Sequence, residues 1–245
     1  MDIGFKTDIG KLRRQNEDSV YINDKEPYFA VVADGMGGHN AGEVASRMAV
    51  DTITEALGSI KKKKVDYDDK LRDAFVLANK RIYDYAEKNS KLMGMGTTTV
   101  AAVISGGKVT VANVGDSRAY IISGGTIRQI SVDHSYVWQL VMRGDITEQQ
   151  AKRHPKRNYI TRAMGTDKNV CVDTFTEKFD DGIILLCSDG LTNLVENYEI
   201  KQITDMTDDL QVAADKLVEL ANERGGADNI TVALIGKKGN DLKND

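Results

Sequence analysis

The chain has 245 residues, 41% of them hydrophobic and 29% charged, enough to bury a sizeable core and unlike a disordered or fibrous composition. Its 33 Lys and Arg against 37 Asp and Glu give a formal net charge of -4, which disfavours a nucleic-acid partner held by phosphate contacts. The two cysteines, Cys171 and Cys187, fit neither a disulfide framework nor a zinc pattern, and there is no export signal and no apolar run near about 18 residues, so a reducing cytoplasmic setting without a membrane span is expected.

Short strands open the chain: "MDIGFKTDIG" and "DSVYIN" flank a polar loop, and "YFAVVAD" follows Pro27. The period then changes in "AGEVASRMAVDTITEAL", where Val44, Met48, Ile53 and Leu57 recur about once per helical turn. The lysines at 61–64 read as a solvated loop. A second amphipathic helix spans "DDKLRDAFVLANKRIYDYAEKN", with Leu71, Ala74, Phe75, Ala78, Ile82 and Tyr85 on its core face. From Gly96 the pattern is β: "TTTVAAVI", "KVTVANVG", "RAYII" and "TIRQI" are joined by "SGGK" and "SGGT", which read as hairpin turns.

Residues 133–165 interrupt the strands with helical pieces and are rich in Arg, Lys and His. One piece carries Val137, Leu140 and Val141; another opens at Thr147 with Gln150 three residues on, a capping box, and closes before Pro155. Strand "GIILLCSD", a helix over "DDLQVAADKLVELANERGG" and a last strand, "NITVALIG", complete the domain expected over 1–238, followed by a polar tail at 239–245. Strand runs with hairpin links predict an α+β layered fold rather than a parallel doubly wound sheet.

Four times an apolar strand meets an aspartate beside glycine or asparagine: Asp34 in "VVADG", Asp116 in "ANVGD", Asp189 in "LLCSDG" and Asp228 in "GGADN", with Asn16-Glu17-Asp18 as a further acidic group. Taken singly, each is an ordinary turn. As a set they converge if the central strands are neighbours, and carboxylates brought together repel unless cations neutralise them. Oxygen ligands without histidine pairs or thiols suit Mg2+ or Mn2+. Two such ions sharing a carboxylate would activate water against a phosphate ester. Arg13, five residues before Asp18, is a fork for two phosphate oxygens if it is not simply a surface guanidinium.

The stretches "GKLRRQNEDSVY", "VADGMGGHNAGEVAS", "GTTTVAAV", "NVGDSRAY", "RNYITRAMG", "LCSDGLTNLV" and "GGADNITVALI" together resemble the bacterial branch of the metal-dependent Ser/Thr protein phosphatases of the PPM family, type 2C. The resemblance runs from about residue 2 to 236 in the family's order. It implies a four-layer αββα sandwich of two antiparallel β-sheets flanked by helices, with residues 133–165 as a flap beside the cleft. It implies Mn2+ or Mg2+, two ions in the core site and a third held more weakly. Asp34 matches the bridging ligand, Gly35 the carbonyl ligand, Asp189 and Asp228 the other ligands of the pair, and Glu17 or Asp18 the acid acting through metal-bound water. Asp116 matches the residue that, with Asp189, holds the third ion. Arg13 matches the phosphate-gripping arginine.

One departure concerns the general acid. Eukaryotic relatives place a histidine directly after the Asp-Gly, whereas Met36-Gly37-Gly38 here precede His39. His39 is the candidate proton donor, with loop capping as its alternative role, and His134 and His154 are assigned to surface or flap packing. The resemblance implies hydrolysis of phosphoserine and phosphothreonine in proteins by direct attack of a water or hydroxide bridging the two ions, opposing a bacterial Ser/Thr kinase in signalling. A monomer is expected. The competing readings are a phosphatase dedicated to one regulator, a phosphoprotein-binding module without turnover, and a cation-binding protein.

Overall fold

The computed structural model describes residues 1–38, 41–58 and 65–237. His39, the lysines at 61–64 and the tail at 239–245 lie outside the described residues. In chain order the elements are strands β1 (Asp2–Asp8), β2 (Asp18–Asn23) and β3 (Tyr28–Met36), helices α1 (Ala41–Gly58) and α2 (Tyr67–Lys88), then strands β4 (Gly96–Ser105), β5 (Lys108–Val114), β6 (Arg118–Ser123) and β7 (Thr126–Gln129). Residues 133–165 carry α3 (Tyr136–Met142) and α4 (Glu148–Ala151). The chain ends with β8 (Asp173–Lys178), β9 (Gly182–Cys187), α5 (Asp189–Thr192), α6 (Asn197–Asp205), α7 (Leu210–Glu223) and β10 (Ile230–Lys237).

The strands form two five-stranded sheets, ordered β1-β10-β9-β6-β7 and β2-β3-β4-β5-β8, with every pairing antiparallel. The central strands read as unbroken apolar runs because both of their faces are covered. Phe29, Val31 and Ala33 of β3 pack with α1 and α2, whereas Ala30 and Val32 point into the layer between the sheets. In β9, Ile183, Leu185 and Cys187 pack under α7, while Ile184 and Leu186 face the other sheet. Three apolar layers therefore separate four layers of backbone, the αββα sandwich.

Side chains satisfy the first free amides of α2, α4 and α7. The Asp66 carboxylate accepts from Asp68 N at 3.0 Å to open α2, and Asp209 caps α7 through Gln211 N and Val212 N. The capping box of Thr147 and Gln150 is present at α4. The core face of α2 is Leu71, Ala74, Phe75, Ala78 and Ile82 as expected, but Tyr85 is 44% exposed. It lies one helical turn past Ile82, where Ala86 takes the inward position instead. No helix of the described residues is long and apolar enough to cross a membrane.

Candidate active site

The antiparallel sandwich brings the ends of β2, β3, β5, β6, β9 and β10 to one edge. Asp18 opens β2 directly opposite Asp34 near the end of β3. Asp116 lies in the turn between β5 and β6, Asp189 is the first residue of α5 just after β9, and Asp228 lies two residues before β10. Side-chain hydrogen bonds tie the two sheets together here. Ser188 Oγ donates to Asp18 Oδ2 at 2.8 Å while accepting from Thr231 N at 3.0 Å.

The loop carrying Arg13 is held by Asn229. Its Oδ1 accepts from Glu17 N at 2.8 Å, and its Nδ2 donates to the carbonyls of Ile9 at 3.0 Å and Gln15 at 2.9 Å. Arg13 Nη2 then reaches Asp228 Oδ2 at 2.7 Å, so the expected phosphate fork is engaged with one of the acids. Glu17 turns its carbonyl to Gly35 N at 3.1 Å.

Two glycines let these backbones meet. A Cβ on Gly35 would stand 2.1 Å from Gly42 O, in the first turn of α1, and a Cβ on Gly190 would stand 2.0 Å from Asn229 O. Glycine beside Asp34 and Asp189 is thus required by the close approach of the next element.

Burial and mutual repulsion disturb the acids strongly. Burial first, then Asp189 and Asp228, push the Asp18 carboxyl up to about 7 against the opposing hydrogen bonds from Thr231 and Ser188. Burial and then Asp18, Asp189, Asp116 and Asp228 hold Asp34 well above the usual carboxylate range. Asp116 is pushed up to about 8 by burial, Asp189 and Asp133, with Arg118 opposing. Asp189 is raised by burial and Asp228, although Asn193 donates to its Oδ2 at 3.0 Å. Burial also raises Glu17. For Arg13 burial opposes the charge, but Asp228, Asp34 and Glu17 outweigh it and raise its pKa.

Asp18 Oδ1 and Asp189 Oδ1 are buried and have no hydrogen-bond partner. Buried carboxylate oxygens without donors are costly unless a cation meets them. Among the described residues, no group of three or more carboxylate, imidazole or thiol side chains is gathered as tightly as a metal cage requires. The fit to an ion rests instead on the oxygen-only donor set, the mutual repulsion and these two orphan atoms, which suit a hard divalent cation.

Several functional positions were not singled out from the sequence. Ser188 and Asn229 each neighbour a predicted acid, in "CSDG" and "ADN", and that adjacency is the signal that finds them. His134 is only 5% exposed, inside a polar network, rather than at the surface. His154 accepts from Lys156 N through Nδ1 at 3.1 Å within residues 133–165.

The family model described as "Protein phosphatase 2C" matches residues 12–223. The serine/threonine phosphatase stp of Listeria innocua serovar 6a is 43% identical over 241 residues, covering 96% of this chain and 95% of the relative. The crystal structure of serine/threonine phosphatase Stp1 from Staphylococcus aureus superposes with a TM-score of 0.90 at 40% identity, over 97% of this chain and 95% of that one. The catalytic domain of the phosphatase PstP, solved in complex with two manganese ions, gives a TM-score of 0.85 at 33% identity, over 95% and 96% of the two chains. The four-layer sandwich, the acids at one of its edges and these likenesses agree: the chain belongs to the protein phosphatase 2C family and is a protein serine/threonine phosphatase.

Proposed function

We propose that this phosphatase hydrolyses phosphoserine and phosphothreonine by direct attack of water on phosphorus, with two divalent ions held by Asp34, the Gly35 carbonyl, Asp189 and Asp228. Asp18 is assigned to the same centre through water, and Asp116 with Asp189 to a third ion held more weakly. The observation that carries this reading is the pair of orphan buried oxygens, Asp18 Oδ1 and Asp189 Oδ1, among carboxylates whose pKa values burial and one another raise. The two manganese ions of the PstP catalytic domain support it. When bound, Mn2+ or Mg2+ supplies charge neutralisation for the phosphate and acidifies the attacking water.

The chain's own residues do the rest. Arg13, on its loop held by Asn229, exchanges Asp228 for two phosphate oxygens and orients the ester. Ser188 keeps Asp18 in place across the sheets. The proton for the leaving alkoxide is assigned to His39, which lies outside the described residues. Residues 133–165 act as a flap on a single catalytic domain, and the cellular role is to oppose a Ser/Thr kinase as a cytoplasmic monomer.

The test is hydrolysis of a phosphothreonine peptide after chelation, with Mn2+ or Mg2+ titrated back and Asp34→Asn run alongside. Activity that returns with the ion and is missing in the variant is expected. Full turnover under chelation, or near-normal activity and metal content in Asp34→Asn, would overturn the assignment.

A further inference from the structure

Where β7 gives way to residues 133–165, two consecutive buried side chains, Asp133 and His134, grip both ends of the turn that carries Asp116. His134 N donates to Gly115 O at 2.9 Å, and His134 Nδ1 accepts from Gly115 N at 3.0 Å. Because Nδ1 accepts from an amide, the neutral ring carries its proton on Nε2 and donates it to Asp173 Oδ2 at 3.0 Å. Arg162, from the far end of the segment, reaches Asp173 Oδ1 at 2.8 Å, with its Nη1 3.1 Å from the same ring nitrogen.

The other end of the turn is gripped as firmly. Arg118 directs Nε to both carboxylate oxygens of Asp133 at 3.0 Å and Nη2 to Oδ2 at 2.6 Å, while Gln129 Nε2 donates to Oδ1 at 2.7 Å. Between the two grips, Ser117 Oγ meets Thr98 Oγ1 at 2.7 Å. Residues 115, 117 and 118 are therefore each anchored, and Asp116 is presented by a turn with little freedom of its own.

The base of the 133–165 segment is stitched to the same point. Thr161 N donates to His134 O at 2.7 Å, and Tyr136 N to Tyr159 O at 2.8 Å. His134 thus belongs to both hydrogen-bond sets.

We propose that Asp133 and His134 are positioning residues that hold the Asp116 carboxylate toward Asp189 and so set the affinity for the third cation. The inference rests on the reading that Asp116 and Asp189 share an ion. Residues that orient a metal ligand through hydrogen bonds commonly change metal affinity by about 10- to 100-fold when replaced.

The experiment is Mn2+ titration by isothermal calorimetry on the wild type, Asp116→Asn, His134→Gln, His134→Asn and Asp133→Asn, with thermal unfolding of each under chelation. Asp116→Asn is expected to abolish the weakest class of sites. His134→Gln, which keeps a donor for Asp173 but loses the acceptor for Gly115, is expected to weaken that class by about 10- to 100-fold while the tighter class holds. His134→Asn, whose Oδ1 takes the place of Nδ1, is expected to restore most of it. Should His134→Gln fail to fold, Asp133→Asn carries the same test from the other end of the turn. A weak class lost in Asp116→Asn but unchanged in the positioning variants overturns the proposal. A weak class that survives in Asp116→Asn overturns the shared-ion reading beneath it, and the proposal with it.

Discussion

Ser188 Oγ stands 2.8 Å from Asp18 Oδ2, joining the start of β2 in one sheet to the end of β9 in the other. The same oxygen accepts the Thr231 amide, so it serves a carboxylate and a backbone donor at once. Ser188→Ala leaves both groups buried without that partner, and the loss is expected to be about 1–3 kcal/mol for the unsatisfied amide. Urea unfolding of the chelated protein checks it, with a transition unmoved from wild type counting against the bridge.

Asp18, with a pKa of about 7, and Asp116, with about 8, lie above the 3.8 of an ordinary aspartate. The folded state therefore keeps protons that the unfolded chain releases. Their contribution to stability is fully present below the unfolded value and is lost as pH rises through 7 and 8. Under chelation the melting temperature is expected to fall steadily across that interval, and saturating Mn2+ is expected to flatten the fall because the ion replaces the protons. A flat chelated profile would refute the buried acid cluster.

Gly190→Ala forces a Cβ to within 2.0 Å of Asn229 O, a backbone atom that cannot swing aside. Relief requires α5 and the start of β10 to part, which moves Asp189 away from Asp228. The expected result is at least about 1–3 kcal/mol of destabilisation with a large loss of turnover. Near-normal kinetics in this variant would show that the edge tolerates such a shift.

Arg13 is half exposed and contacts Asp228, so its replacement tests substrate binding more than folding. Arg13→Ala is expected to lower kcat/KM by about 10- to 100-fold, the loss of a charge-assisted pair, with unfolding little changed. Asn229→Ala should reproduce part of that kinetic loss, because it frees the Arg13 loop from three hydrogen bonds, but with a clear loss of stability. Equal stability in the two variants would contradict this division.

The layered fold and the acids at strand ends were legible because they rest on local pattern. Strand β3 shows its apolar run, and Asp34, Asp116, Asp189 and Asp228 each sit beside a turn residue. Strand β8 was missed. Its sequence, "DTFTEK", is polar because β8 lies at the edge of its sheet with its side chains half-buried or exposed. Helix α6, "NYEIKQITD", was missed because its apolar stripe is short, only Ile200 and Ile203 one turn apart on a nine-residue helix. The grip of Asp133 and His134 on residues 115–118 is a contact between turns about fifteen to twenty residues apart, and no periodicity announces it.

The layer between the sheets is lined by Ala30, Val32, Val100, Ile184, Leu186 and Ala233, alkyl groups whose attraction has no preferred direction. The Ser188–Asp18 bond is directional, so it acts as a locating pin at the acid edge of two plates held together by packing. Trimming the buried Val32 to Ala should therefore be felt as a lower melting temperature, whereas removing the pin in Ser188→Ala should be felt at the acid edge as misalignment and lost turnover.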